Sequence, residues 1–176
     1  MKNRLCVFLV VLAAASSLAA QATASSKTTD AATHPGKPRV LLAYELADKN
    51  LDPWRVLFRI ELGLAGYALE EVEAAKLSAA TLSDYDLILI HGAVMAFTFK
   101  EPMRDWLNTE PKLAGRKVAL FVTANRWFLK KYNDQLASLL RKTGASIADA
   151  VSTATKSLSD GEKQGLVRAF VEKLPR

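Results

Sequence analysis

From Arg39 onward the chain alternates between short apolar runs and longer stretches in which apolar residues recur every three or four positions. Short runs of this kind have strand character and the longer ones helix character. Their alternation predicts a parallel sheet joined by helical crossovers. The first, third and fourth strands are expected at residues 40–44, 87–90 and 118–122. Each is apolar nearly throughout, as a strand covered on both faces requires, so these three form the sheet centre. A more polar second strand, residues 67–72, sets Leu69 and Val72 among Glu70, Glu71 and Glu73, and a fifth is expected at 146–151. Both are placed at edges, where the glutamates face solvent and discourage pairing with another chain.

The intervening segments carry helix start and stop signals. Asp52 is expected to cap a helix with Pro53 at its first position, where a missing N–H costs nothing, and Gly66 ends it. Leu129, Tyr132, Leu136, Leu139 and Leu140 recur at helical spacing before Gly144. Ser159 and Glu162 stand in capping-box spacing ahead of Leu166, Val167, Phe170, Val171 and Leu174. Trp54 and Trp106 occupy apolar helix positions and are assigned to the core. The expected order is βαβαβαβαβα.

Upstream, Lys2, Asn3 and Arg4 precede an apolar or small run over residues 5–20, with no charge until Lys27. This is a signal-peptide pattern, and Ala22-Thr23-Ala24 predicts cleavage before Ser25. Retention as an anchor is the alternative, but a span needs about 20 predominantly apolar residues, and the second half of this run is Ala and Ser. The expectation is therefore a periplasmic or secreted protein with no stable membrane span after removal of residues 1–24. Residues 25–38, rich in Ser, Thr, Ala, Gly and Pro, form a flexible linker, and 39–176 a single domain.

The only cysteine, Cys6, lies in the segment to be removed, so the mature chain has no disulfide. Cleavage removes 24 of 176 residues and leaves 152, enough for one hydrophobic core. Loss of Lys2 and Arg4 takes the 24 basic side chains to 22 against 18 acidic ones, a net charge of +4. That mild excess favours an anionic ligand, partner or lipid surface. With no dense basic patch interleaved with aromatics, nucleic acid is not an expected partner.

The stretch YDLILIHGAVMAFTFKEPMRDWL, ending at Leu107, resembles the third strand, flavin-contacting loop and following helix of the flavodoxin-like family, with Gly92, Val94, Pro102 and Leu107 carrying the likeness. KVALFVTANRWF resembles the fourth strand and second flavin loop, with Thr123, Ala124 and Asn125 at the turn. The likeness extends over roughly residues 39–174. It implies a flavodoxin-like three-layer α/β sandwich with a five-stranded parallel sheet in the order 2-1-3-4-5. The ligand then lies at the carboxyl ends of strands one and three, where the order reverses.

The resemblance further implies FMN as cofactor. Its site residues would be Ala47, Lys49 and Asn50 after strand one, Val94, Met95, Ala96 and Phe97 after strand three, and Thr123, Ala124, Asn125 and Trp127 after strand four. Phe97 and Trp127 would stack on the flavin ring, or else plug the crevice; Arg126 is either a donor to the ligand or a solvated surface residue. One loop departs from the family pattern. Residues 44–52 contain no Gly, Ser or Thr, and a phosphate there would face Glu45, Asp48 and Asp52 with only Lys49 and Asn50 in support. Like charges 4 Å apart repel by about 4 kcal/mol at an effective dielectric near 20.

Two functions remain open. One is an exported FMN-binding electron-transfer or quinone/oxidase-type module with a redox protein partner. The other is a fold-only relative that has lost FMN and acts as an interaction module for a protein or another small ligand, either anionic or aromatic or, with Glu45 and Asp48 selecting for it, a cationic or hydroxyl-rich group. His91, expected to close strand three, is either a ligand donor or a hydrogen-bonded structural residue. The other histidine, His34, lies in the linker, so no metal site is expected.

Overall fold

A computed structural model of the protein describes residues 36–45, 51–77, 82–95, 98–99, 101–109, 111–124 and 130–176, all within the compact unit 34–176. The ten main elements are β1 (Arg39–Tyr44), α1 (Asp52–Leu64), β2 (Ala68–Glu73), β3 (Leu87–Met95), β4 (Thr98–Phe99), α2 (Glu101–Asn108), β5 (Lys117–Ala124), α3 (Lys130–Lys142), β6 (Ser146–Ala154) and α4 (Asp160–Val171). The sheet order is β2-β1-β3-β5-β6, all parallel, with β4 pairing antiparallel to β3. Among the five parallel strands this is the expected 2-1-3-4-5, with the two polar strands at the edges.

Alternation along the strands builds the three layers. Leu41, Ala43, Ile88, Ile90, Val118, Leu120 and Val122 pack with Met103, Trp106 and Leu107 of α2 and Leu136 and Leu140 of α3. Val40, Leu42, Leu87, Leu89 and Phe121 pack on the other face with Trp54, Phe58 and Leu62 of α1 and Val167 and Phe170 of α4. The helix pair on this second face is clasped by Glu61, only 4% exposed, which accepts hydrogen bonds from Gln164 Nε2 at 2.9 Å and from Arg168 Nε and Nη2 at 3.2 Å.

Helix boundaries follow the sequence signals with one change. Gly66 and Gly144 adopt φ of +87° and +83° after α1 and α3. Ser159 and Glu162 form the reciprocal capping box of α4. Asp52, however, is not the cap of α1. Leu51 occupies that position in helical geometry; its side chain has no polar atom to cap with, and its carbonyl receives the N–H groups of Trp54 and Arg55 at 3.1 Å.

The edge glutamates also differ from expectation. Glu71 is shielded by two arginines of α1, Arg59 at 2.7 Å and Arg55 at 3.4 Å, and Glu73 by Lys76 at 3.3 Å. Arginines of a crossover helix reach the edge strand lying beneath it, so edge charge is neutralised rather than displayed.

Candidate functional site

The register fixes what lies at the carboxyl edge of the sheet. Tyr44, the last residue of β1, aligns with Glu73 and His91, whereas β3 and β5 run on together to Val94 and Ala124. Beyond the end of β1 there is therefore a step, flanked by β3, at the point where the strand order reverses. Crevices of this kind are the ligand sites of open α/β sheets.

Glu45 lies at this step and is completely buried. Its Oε2 accepts the N–H of Ala93 at 3.3 Å, so the carboxylate closes the gap between the end of β1 and the extension of β3. Thr123 Oγ1 donates to the Gly92 carbonyl at 3.4 Å, and the Ala124 carbonyl accepts from Thr155 N at 2.8 Å and Thr155 Oγ1 at 3.1 Å. Backbone groups at the ends of β3 and β5 are thus occupied within the fold.

These positions test the phosphate half of an FMN site. A dianion at the end of β1 needs N–H donors from a loop and a helix N-terminus. In α1 the residue at 53 is proline, and the N–H groups of Trp54 and Arg55 are spent on Leu51. Arg55 is engaged too, 3.4 Å from Glu71, 3.7 Å from Asp52 and stacked 4.6 Å from the Tyr44 ring centroid. With Glu45 buried alongside, the described residues do not fit a phosphate. Ala47, Lys49 and Asn50 lie outside the described residues.

The residues assigned to the ring half divide in the same way. Val94 and Met95, expected in a loop, belong to β3, which is five residues longer than the sequence reading: His91 to Val94 go on pairing with Phe121 to Ala124 of β5, and Val94 and Met95 pair back with Phe99 and Thr98 of β4. Thr123 and Ala124, expected at a turn, are the buried end of β5, 4% and 5% exposed. Both pairs are adjacent in register, Val94 opposite Ala124. Ala96, Phe97, Asn125, Arg126, Trp127 and Phe128 lie outside the described residues.

His91 is a second correction. It lies inside β3 rather than at its end, fully buried, with ring centroids of Phe58 at 5.5 Å, Phe121 at 6.1 Å and Trp54 at 6.5 Å. Neither ring nitrogen meets a hydrogen-bond partner among the described residues. Burial pushes its pKa down from 6.5 to about 3, so the imidazole is neutral throughout the ordinary pH range and is neither a ligand donor nor a hydrogen-bonded strut. Among the described residues, no three His, Cys, Asp or Glu side chains converge as a metal-ligand set. No described helix is long and apolar enough to cross a membrane.

Comparison with known proteins places the fold. No family model matches the chain, and no curated protein matches it. Among solved structures it is similar to the flavodoxin of Megasphaera elsdenii, with a TM-score of 0.62 and 20% identity over 76% of this chain and 98% of that one. It is also similar to the flavodoxin of Streptococcus pneumonia TIGR4, with a TM-score of 0.64 and 14% identity over 77% and 97%. Rubredoxin oxygen:oxidoreductase from Desulfovibrio gigas matches with a TM-score of 0.61 and 11% identity, over 78% of this chain and 36% of that one. The chain has the flavodoxin-like fold.

Proposed function

We propose that the protein is an exported redox module of the flavodoxin type that takes the ring of a flavin between the loops following β3 and β5. The observation that carries this reading is the register itself. Two strands run past the end of β1 side by side, as far as Val94 and Ala124, at the reversal of strand order. The flavin supplies the electron chemistry when bound; the chain's task is to hold the ring, exclude water from it and present it to a partner. Glu45 and the engaged start of α1 oppose a phosphate, so the ligand's tail is held differently from that of a flavodoxin. The apolar segment over residues 5–20 and the Ala22-Thr23-Ala24 site support a periplasmic or secreted location.

A second reading is favoured by Glu45. A buried carboxylate across the crevice suits a cationic or hydroxyl-rich group, and the protein would then be a ligand-binding or interaction module without flavin.

Titration of the purified protein with riboflavin and FMN separates the two. Riboflavin binding at least as tight as FMN supports the flavin reading. A clear preference for FMN contradicts the assignment of Glu45, and binding of neither leaves the second reading.

A further inference from the structure

The amino-terminal end of the sheet, opposite the crevice, carries a different kind of surface. A cavity of about 470 Å³ opens there between the start of β1, the approach to β3, the turn before β5 and the chain's last residues. Lys37, Arg116, Lys117 and Arg176 line it. None of them forms an ion pair among the described residues, whereas Arg39 beside them is taken up by Glu70 at 3.7 Å and by the Tyr85 ring at 4.9 Å. Asp86 is the acid of the cavity wall, and its Oδ2 is occupied by the Arg39 N–H at 2.8 Å. An α-carboxylate on Arg176 would still leave cations in excess.

The surface continues past the cavity. Arg141 and Lys142, both exposed in the last turn of α3, are brought alongside because Leu113 N donates to Thr143 O and Gly115 N to Gly144 O, at 3.2 and 3.1 Å. At the same end α1 terminates in Leu64, 76% exposed. The turn after it is tied in by Ala68 N to Pro38 O at 2.9 Å and by Tyr67 Oη to the Leu174 and Pro175 carbonyls. Of the other acids at or near this end among the described residues, Glu70 is held by Arg39 and Asp105 by Arg104, which leaves Asp84, Asp86 and Glu172 against six cations.

We propose that this end of the domain docks on an anionic membrane surface, with the cavity receiving phosphate groups of lipid headgroups. A soluble polyanion would be met by the cations alone; an exposed leucine at the same end of the sheet suits the boundary between headgroups and acyl chains. The chain enters the domain at this end, through Gly36, Lys37 and Pro38 before β1. The opposite end, with the crevice, is left facing away from the bilayer and accessible to a partner.

Co-sedimentation of the full chain with vesicles tests this, comparing phosphatidylcholine alone with a mixture containing phosphatidylglycerol. The apolar segment contributes to both, so the difference reads the basic end. The expected result is at least tenfold tighter partition onto the anionic vesicles at low salt. Lys37→Gln/Arg116→Gln/Lys117→Gln should abolish that difference with unchanged circular dichroism. A matched loss of charge at the other end, Lys76→Gln/Arg104→Gln/Lys163→Gln, should retain it. Leu64→Gln should weaken binding to the anionic vesicles without removing the preference. Equal partition onto both vesicle types, or an equal loss in both triple variants, overturns the proposal. So does inorganic pyrophosphate that saturates the site and displaces vesicles at micromolar concentration, which would assign it to a free anion.

Discussion

His91 illustrates how one side chain sets a pH limit. Folded, the imidazole stays neutral down to about pH 3; unfolded, it takes up a proton near its ordinary value of 6.5. Its contribution to stability is therefore complete above pH 6.5 and falls toward pH 3, by up to about 1.4 kcal/mol per pH unit. His91→Phe should flatten that part of the profile, as read by urea unfolding at pH 7 and pH 4.5, and an unchanged slope would contradict the assignment. Gly144 sets a steric limit. At φ +83° an added Cβ would lie 2.9 Å from Ala114 Cα, so Gly144→Ala combines a left-handed backbone cost of about 1–2 kcal/mol with a clash against main chain. Its thermal midpoint should fall by more than that of Gly66→Ala, which has similar φ but meets nothing within 4 Å. Both glycines are legible in sequence as helix stops. The contact with Ala114 is not, because it joins segments thirty residues apart. His91 falls inside its strand for a related reason: β3 goes on pairing with β5 as far as Val94 and Ala124, a partnership between distant segments that leaves no local signal.

The clasp between α1 and α4 belongs to the scale of elements. Hydrogen bonds from Arg168 and then Gln164 hold the Glu61 carboxyl below its ordinary 4.5. The stability this contributes is present above pH 4.5 and is lost as pH falls through the lowered value. Arg168→Ala should lower stability measurably, since it removes charge-assisted bonds from a nearly buried acid, and should weaken the acid sensitivity of unfolding. Ser159→Ala, which removes the cap of α4, should cost about 1 kcal/mol and should also weaken the acid dependence, because the Ser159 hydroxyl helps hold the Glu162 carboxyl below its ordinary 4.5. The cap was written in the sequence as two residues at fixed spacing. The Glu61 clasp was not, because its partners are 103 and 107 residues away and only the layer packing brings them together.

Over the whole molecule, layering and the split into central and edge strands were readable because both follow from which strands are apolar throughout and which are mixed, whereas the order 2-1-3-4-5 came only with the flavodoxin-like resemblance. The site was readable as a location rather than as a chemistry. Parallel topology sends the loops after β1, β3 and β5 to one edge, but whether that edge suits an anion depends on Glu45, whose complete burial no local pattern announces. The basic opposite end has the same origin. Lys37, Arg116, Lys117, Arg141, Lys142 and Arg176 are scattered in sequence, yet each lies near a strand start or a helix end that a parallel sheet gathers on one side. The most direct measurement of the central claim is the FMN-to-riboflavin affinity ratio of the wild type against Glu45→Gln, by titration of flavin fluorescence. The account expects the substitution to raise FMN affinity at least tenfold while riboflavin affinity changes by less than threefold. An identical ratio in the two proteins would show that the carboxylate at the end of β1 does not face the ligand's phosphate.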